Sequence, residues 1–362
     1  MIDLKQYGYT ETEKPGEGML PARITAVHRE RYELICQDGT LYGKLKTSVY
    51  YGREPHPFPT VGDYVFINAV EGGDSQIVKT LPRRSYFSRL DPYGGDREHG
   101  GYLEQAVAAN FDTVFIMQSL NQNFNLRRLE RYLTMTWQSG AVPVIILTKA
   151  DLSEDLYRQI GEAEAIAAGV DIIATSIKSG EGLDSLTKHL QPGKTCVFMG
   201  SSGVGKSSLL NTLMGEDVMT VKEIREDDAR GRHTTTHRQL FMLPSGAFII
   251  DTPGMRELGI WDNNDGLTEA VSEVFTDIEE QLGMCKFSDC KHESEPGCAV
   301  NAAIKSGDIT QKRWESYMKL KREALYAENK REAMRKKSAK NQGIAIWSRQ
   351  QRLANETYKK ER

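Results

Sequence analysis

The residues with the plainest chemical purpose are Gly200-Ser201-Ser202-Gly203-Val204-Gly205-Lys206-Ser207, which fit the pattern G-x-x-x-x-G-K-[ST]. The run follows an apolar, strand-like stretch ending at Met199 and opens a helical one beginning at Ser208. In that setting glycine N–H groups converge on phosphate oxygens, backed by the partial positive charge of a helix N-terminus. Lys206 would bridge the β- and γ-phosphates, and the Ser207 hydroxyl would ligate Mg²⁺. Asp251-Thr252-Pro253-Gly254 is a D-x-x-G placed 45 residues beyond Lys206. Asp251 suits the Mg²⁺ shell through water, and the Gly254 N–H suits a γ-phosphate oxygen. Between the two lies Gly231-Arg232-His233-Thr234-Thr235-Thr236-His237. This is the expected place for a segment whose threonine closes over Mg²⁺ and the γ-phosphate, and Thr235 is the favoured one. The phosphate loop by itself does not separate GTPase, ATPase and kinase.

Base recognition has its own residues. Thr148-Lys149-Ala150-Asp151 follows an apolar run and resembles the guanine-reading N-K-x-D element. The Asp151 carboxylate accepts from guanine N1–H and the 2-amino group, a pattern that adenine does not offer. The Lys149 stem packs along the base. Thr148 stands where Asn is usual, which is expected to weaken contacts to the base and to the phosphate loop. Thr175-Ser176-Ile177-Lys178-Ser179-Gly180 follows another strand-like run and resembles an S-A-K element that supports the base. The expected nucleotide contacts are therefore Thr148, Lys149, Ala150, Asp151, Ser176, Gly200 to Ser208 and Gly254. The order is unusual. The base readers precede the phosphate loop and D-x-x-G comes last, so the set is complete but circularly permuted.

A second chemistry sits further on. Cys285-x₄-Cys290-x-His292-x₅-Cys298 puts three thiols and one imidazole within 14 residues. That donor set suits a closed, four-coordinate structural Zn²⁺ site. Buried free cysteines are the plainer alternative there, and they are the reading for Cys36 and Cys196, which fall in strand-like runs.

These groups need elements to hold them. Residues 1–18 read as a loose polar arm. Strands are expected over 22–29, 31–36, 40–44, 63–70 and 75–80, with turn-rich separators. Five short strands in so short a stretch point to a small closed barrel, OB-type first and SH3-like second. From residue 112 to 251 strands over 113–118, 142–147, 171–175, 195–199 and 247–251 alternate with helices over 126–138, 154–168, 182–189 and 206–214. Such alternation implies a mostly parallel sheet covered on both faces. The remainder is helical. Asp308 to Gln311 fits a capping box, and Trp314, Tyr317, Met318 and Leu325 fall on one side of the helix that follows. The expected units are 1–88 (arm and barrel), 89–262 (permuted nucleotide domain), 263–335 (metal-binding helical domain) and 336–362 (basic extension). The fold class is multidomain α/β.

Composition limits what such a chain can be. Apolar residues make up 39% and charged residues 27%, ordinary for a globular protein. The longest clean apolar run, 141–147, falls far short of the ~20 residues a membrane helix needs. The N-terminus lacks the pattern of a secretory signal, and five cysteines argue against a disulfide scaffold. A soluble cytoplasmic protein is expected, monomeric because coiled-coil heptads are absent. The net charge of −3 hides a split. Residues 330–362 carry 11 basic and 3 acidic side chains, or +8, which leaves −11 on the rest. A basic extension of this kind suits docking on RNA, whereas a uniformly basic coat is excluded.

Together, the small N-terminal barrel, the permuted order TKAD–GSSGVGKS–GRHTTT–DTPG and the Cys285, Cys290, His292, Cys298 spacing resemble the ribosome small-subunit-dependent GTPase A family, known as RsgA, YjeQ or YloQ. The resemblance spans nearly the whole chain. It implies an OB-fold barrel, a permuted GTPase domain and a zinc-containing helical domain. It also implies GTP hydrolysis to GDP in late maturation of the 30S subunit, contact with 16S rRNA, and stimulation by the subunit. A regulatory GTPase with a non-ribosomal protein partner, or an RNA-binding module with a vestigial nucleotide site, are the alternatives. The place after D-x-x-G, where many GTPases carry a water-orienting Gln, holds Met255. His233 is the expected substitute, with His237 behind it, and Lys206 and Thr235 complete the expected catalytic set.

Overall fold

A computed structural model of the chain describes residues 1–28, 31–50, 57–96, 101–121, 124–219, 238–251 and 267–329. The barrel is built from β1 (Met19–Val27), β2 (Tyr32–Cys36), β3 (Gly39–Leu45), the short helix α1 (Thr47–Tyr50), β4 (Tyr64–Asn68) and β5 (Ser75–Thr80). The strands run in the order β1-β2-β3-β5-β4, and β4 pairs back onto β1 to close the barrel. Only the β3–β5 pair is parallel. This is the OB-type Greek key and not an SH3-like barrel. Alternate residues point inward, and Ala22, Ile24, Leu34, Cys36, Val65, Ile67 and Ile77 fill the interior with Tyr50 of α1.

The N-terminal arm is not loose. Leu4–Tyr7 forms a 3-10 turn capped by the Asp3 side chain, and the Ile2 N–H donates to the Gln37 carbonyl. The Tyr7 ring packs 5.1 Å from that of Phe248, and Gly8 lies so close to the Gly193 carbonyl that an added Cβ would sit 2.7 Å from it. Arg23 of β1 explains the order. Its guanidinium, wholly buried, donates to the Tyr7 carbonyl (2.7 Å) and the Thr195 hydroxyl (2.7 Å) and lies between the Tyr64 and Phe248 rings. A buried cation needs such partners, and the arm supplies one of them.

Two strands not expected from sequence follow the barrel: β6 (Tyr86–Asp96) and β7 (Gly101–Ala109) form an antiparallel hairpin. The expected boundary at 88 falls within β6. The nucleotide domain then runs through β8 (Thr113–Ser119), α2 (Leu126–Gln138), β9 (Val142–Thr148), α3 (Leu156–Glu164), β10 (Asp171–Thr175), α4 (Leu183–Thr187), β11 (Thr195–Gly200), α5 (Lys206–Met214), β12 (Arg238–Met242) and β13 (Phe248–Asp251). β10-β9-β8-β11-β13 are parallel neighbours, and β12 joins β13 antiparallel. One face buries Val114, Ile116, Ile145 and Leu147 under α2 and α3. The other buries Phe115, Met117, Val144 and Ile146 under α4 and α5. β12 also pairs with β1, Ala26 against Gln239 and Val27 against Arg238, so barrel and nucleotide domain share one 11-stranded sheet.

The C-terminal region comprises α6 (Leu267–Val274), α7 (Thr276–Leu282), α8 (Ala299–Ser306) and α9 (311–329). α9 is capped by the Thr310 hydroxyl, which accepts from the Arg313 N–H (3.2 Å); the expected cap, Asp308, instead accepts from the Ser306 hydroxyl. Tyr317 is buried and Trp314 and Met318 pack against the same core, but Leu325 is exposed, its expected place taken by Leu320, Ala324 and Ala327. No described helix is long and apolar enough to cross a membrane.

Candidate functional site

The base-reading and phosphate loops meet across one cleft of about 310 Å³, lined by Thr148, Lys149, Asp151, Thr175, Ile177, Lys178, Val204, Gly205 and Ser208. Thr148 closes β9, and Lys149 follows in the left-handed region at φ 59°. That turn starts a short 3-10 segment, Ala150–Leu152, which carries Asp151. Asp151 Oδ1 accepts from the Ser176 hydroxyl at 2.7 Å, so the two base-reading segments are bonded to each other. Ser176 is itself held by backbone bonds to Glu181 and Gly180. The turn depends on Gly182, where a Cβ would lie 2.0 Å from the Ala174 carbonyl oxygen. Ile177 and Lys178, within the S-A-K-like run, line the cleft although only Ser176 of that run is among the expected contacts. Their position directly after a parallel strand is the signal that points to them.

Thr148 stands where Asn is usual, and its hydroxyl donates to the Val204 carbonyl at 2.6 Å, so a direct contact to the phosphate loop is present.

The phosphate loop joins β11 to α5. No side chain caps α5, and Gly205 takes its N-cap position at φ 102°. The helix N–H groups therefore point into the loop, where an anion can accept them. Gly200 has no room for a side chain: a Cβ would sit 2.7 Å from the Met117 carbonyl oxygen and 3.1 Å from Val204 Cγ1. The Lys206 ammonium donates to the Gly200 and Ser201 carbonyls, each at 2.8 Å, which holds it over the loop. Asp251 ends β13 on the same edge of the sheet. Burial pushes its carboxyl up from the ordinary value, and the Lys206 ammonium opposes that shift. The opposition places a cation within electrostatic reach of the carboxylate expected to serve Mg²⁺. Thr235, His233, His237, Gly254 and Met255 lie outside the described residues, as does the basic extension 336–362.

The thiols and imidazole of Cys285, Cys290, His292 and Cys298 do converge. Their ligand atoms all lie within 4.8 Å of one another. His292 Nδ1 is 3.5 Å from the sulfurs of both Cys285 and Cys298. Zn–S of ~2.3 Å and Zn–N of ~2.0 Å at a tetrahedral angle require an S···N edge of about 3.5 Å, so the cluster can hold a metal such as zinc. His292 is in the left-handed region at φ 62°, and its ring meets Trp314 edge-on at 5.6 Å. Three backbone N–H groups, of Lys291, Glu293 and Ser294, donate to the Glu295 carboxylate and shape the loop. Cys36 and Cys196 are fully buried in strands, far from this chemistry in the fold.

Comparison with known proteins agrees with this geometry. A family model described as RsgA GTPase matches residues 80–261. The "Small ribosomal subunit biogenesis GTPase RsgA 2" of Listeria monocytogenes serotype 4b (strain F2365) is 44% identical over 328 residues, 90% of each chain. The protein named "Small ribosomal subunit biogenesis GTPase RsgA" of Methanosarcina acetivorans is 42% identical over 315 residues, 86% of this chain and 82% of its own. Among solved structures, YjeQ from Thermotoga maritima superposes with a TM-score of 0.60 at 27% identity, covering 85% of this chain and 99% of that one. YloQ, titled a circularly permuted GTPase, gives 0.57 at 26% identity, covering 86% and 98%.

Proposed function

This chain belongs to the RsgA GTPase family and is a GTP hydrolase, and from that premise we propose that it acts late in maturation of the 30S ribosomal subunit. In this reading it works in the cytoplasm as a monomer, contacts 16S rRNA, and turns over GTP faster when the subunit is bound. The observation that carries the proposal is the cleft in which Thr148, Lys149 and Asp151 face Val204, Gly205 and Ser208. The names of the relatives, as small-subunit biogenesis GTPases, support the ribosomal part.

The residues divide the work. Asp151 accepts from the guanine N1–H and 2-amino group, held in place by Ser176. Backbone N–H groups of Gly200 to Ser208 bind the β- and γ-phosphates, and Lys206 leaves its two carbonyl partners to bridge them. Water attacks the γ-phosphorus in line, the bond to the β–γ bridging oxygen breaks, and GDP and phosphate leave. Mg²⁺, held by Ser207, Asp251 and Thr235, would neutralise charge on the phosphates. Gly254 senses the γ-phosphate, and His233 orients the water in place of the missing Gln. Zinc on Cys285, Cys290, His292 and Cys298 plays a structural part in the helical module.

GTP hydrolysis by the full chain, measured with and without purified 30S subunits, tests the proposal. Stimulation that weakens steeply with salt is expected, because phosphate contacts release counterions. Equal rates with and without the subunit would refute the assembly role.

A further inference from the structure

Thr148 has a single hydroxyl proton and two neighbours that only accept. Its Oγ1 lies 2.6 Å from the Val204 carbonyl oxygen and 3.3 Å from that of Gln118. By distance the proton belongs to Val204. Thr148 is only 4% exposed, so its hydroxyl is packed in this arrangement. Guanine presents acceptors, N7 and O6, on its Hoogsteen edge. A hydroxyl whose proton is committed offers that edge lone pairs and nothing else. An Asn side chain at the same place has two amide protons, one for the carbonyl and one for the base.

We propose that Thr148 is a positioning residue that clamps the base-reading loop to the phosphate loop and leaves guanine N7 unread. Base recognition then rests on the N1–H and 2-amino groups facing Asp151. The inference depends on guanine occupying the cleft described above, and the test separates the two. It also gives a reason for the Thr: of the two contacts expected to suffer from replacing Asn, the one to the phosphate loop survives and the one to the base is given up.

The experiment is competition against a fluorescent GDP on the full chain, using GTP, 7-deaza-GTP and ITP. N7 is a CH in 7-deaza-GTP, and ITP lacks the 2-amino group. The expected result is that 7-deaza-GTP binds within about threefold of GTP while ITP binds at least about tenfold more weakly. Thr148→Asn should create a preference for GTP over 7-deaza-GTP of about three- to tenfold, the net effect of one neutral hydrogen bond. A wild-type loss of more than threefold on removing N7, with ITP still rejected, overturns the inference alone. An unchanged ratio in Thr148→Asn overturns it as well. If GTP, 7-deaza-GTP and ITP compete equally in both proteins, the base is not read in this cleft, and the site placement falls with the inference. A purely structural role for Thr148 would move all three affinities together and leave their ratios fixed.

Discussion

Arg313 of α9 is the joint between the helical module and the nucleotide domain. Its guanidinium binds Asp277 of α7 through two hydrogen bonds of 2.6 Å, Glu130 of α2 at 2.9 Å and the Val274 carbonyl at 2.9 Å. It also lies over the Phe275 ring, 4.7 Å from its centroid. The acidic partners are unequal. The Glu130 side chain is 3% exposed and that of Asp277 is 38% exposed. In Arg313→Met, Asp277 can rehydrate and should cost no more than ~0.5 kcal/mol. Glu130 cannot, and removing the partner of a buried charge costs about 3–5 kcal/mol. The Ser316 hydroxyl still donates to Glu130, at 2.5 Å, so the loss should fall near the lower end, about 3 kcal/mol.

The charge origin of that loss gives it a pH signature. Burial pushes the Glu130 carboxyl up in the wild type, and the Ser316 hydroxyl and Arg313 hold it down. Without Arg313 it rises further, so the folded variant takes up a proton that the unfolded chain does not. Stability then increases as pH falls toward the ordinary carboxylate range. Urea unfolding followed by tryptophan fluorescence, with Trp314 beside the substituted residue, should show the largest deficit near pH ~8 and a smaller one near pH ~5.5. Adding Glu130→Gln should recover part of the loss by removing the uncompensated charge. A deficit below ~1 kcal/mol, or one that grows as pH falls, would refute the placement of Arg313 as the counter-charge of Glu130.

Gly200→Ala should lower nucleotide affinity at least about tenfold with little change in circular dichroism. The new methyl meets the Met117 backbone oxygen at 2.7 Å, and the phosphate loop must shift because the strand cannot. Equilibrium dialysis with GDP would check this, and undiminished affinity would show that the loop tolerates the shift. Cys298→Ser should strip the metal from the cluster and alter Trp314 emission, since His292 packs edge-on against that ring. Metal content by mass spectrometry should fall from about one equivalent to near zero, the outcome for a closed four-donor site that has lost one donor.

What could be read from the sequence followed from how locally each feature is encoded. The bounds of α2 are legible from its apolar period, and those of α5 from the phosphate-loop motif that must open a helix. The five barrel strands were visible as alternation between turn residues. β6 and β7 are not, because their facing ends, around Pro92-Tyr93-Gly94-Gly95 and at Gly101, carry turn-forming residues. The order of the polar arm is illegible for a different reason. Its order comes from Arg23 and Phe248, partners outside the arm that no local pattern reveals. Likewise, the sequence at Thr148 shows only a weaker substitute for the usual Asn; that Val204, 56 positions away, accepts its proton is a tertiary fact. Composition, spacing and motif reveal which groups are present; the acceptor available to each is a property of the tertiary structure.

The permuted order leaves the site intact because of the direction of the strands and not their sequence. Thr148 ends β9, Thr175 ends β10, Gly200 ends β11 and Asp251 ends β13. These strands belong to one parallel set, so all four C-terminal ends lie along the same edge of the sheet. A parallel sheet fixes where a loop emerges by strand position, and it is indifferent to which strand comes first in the chain. Permutation changes instead what is joined to the edges. β12 follows the threonine-rich segment, pairs with β13 up to Asp251, and pairs on its other side with β1 of the barrel. Beyond Asp251 the chain reaches α6, whose Leu267 and Val271 share a core with α2. The barrel is thus joined to the D-x-x-G strand through β12, and the metal-binding helices follow that strand in the chain. In an unpermuted order the D-x-x-G strand would lead on to the base-reading elements; here it leads directly to the helical module.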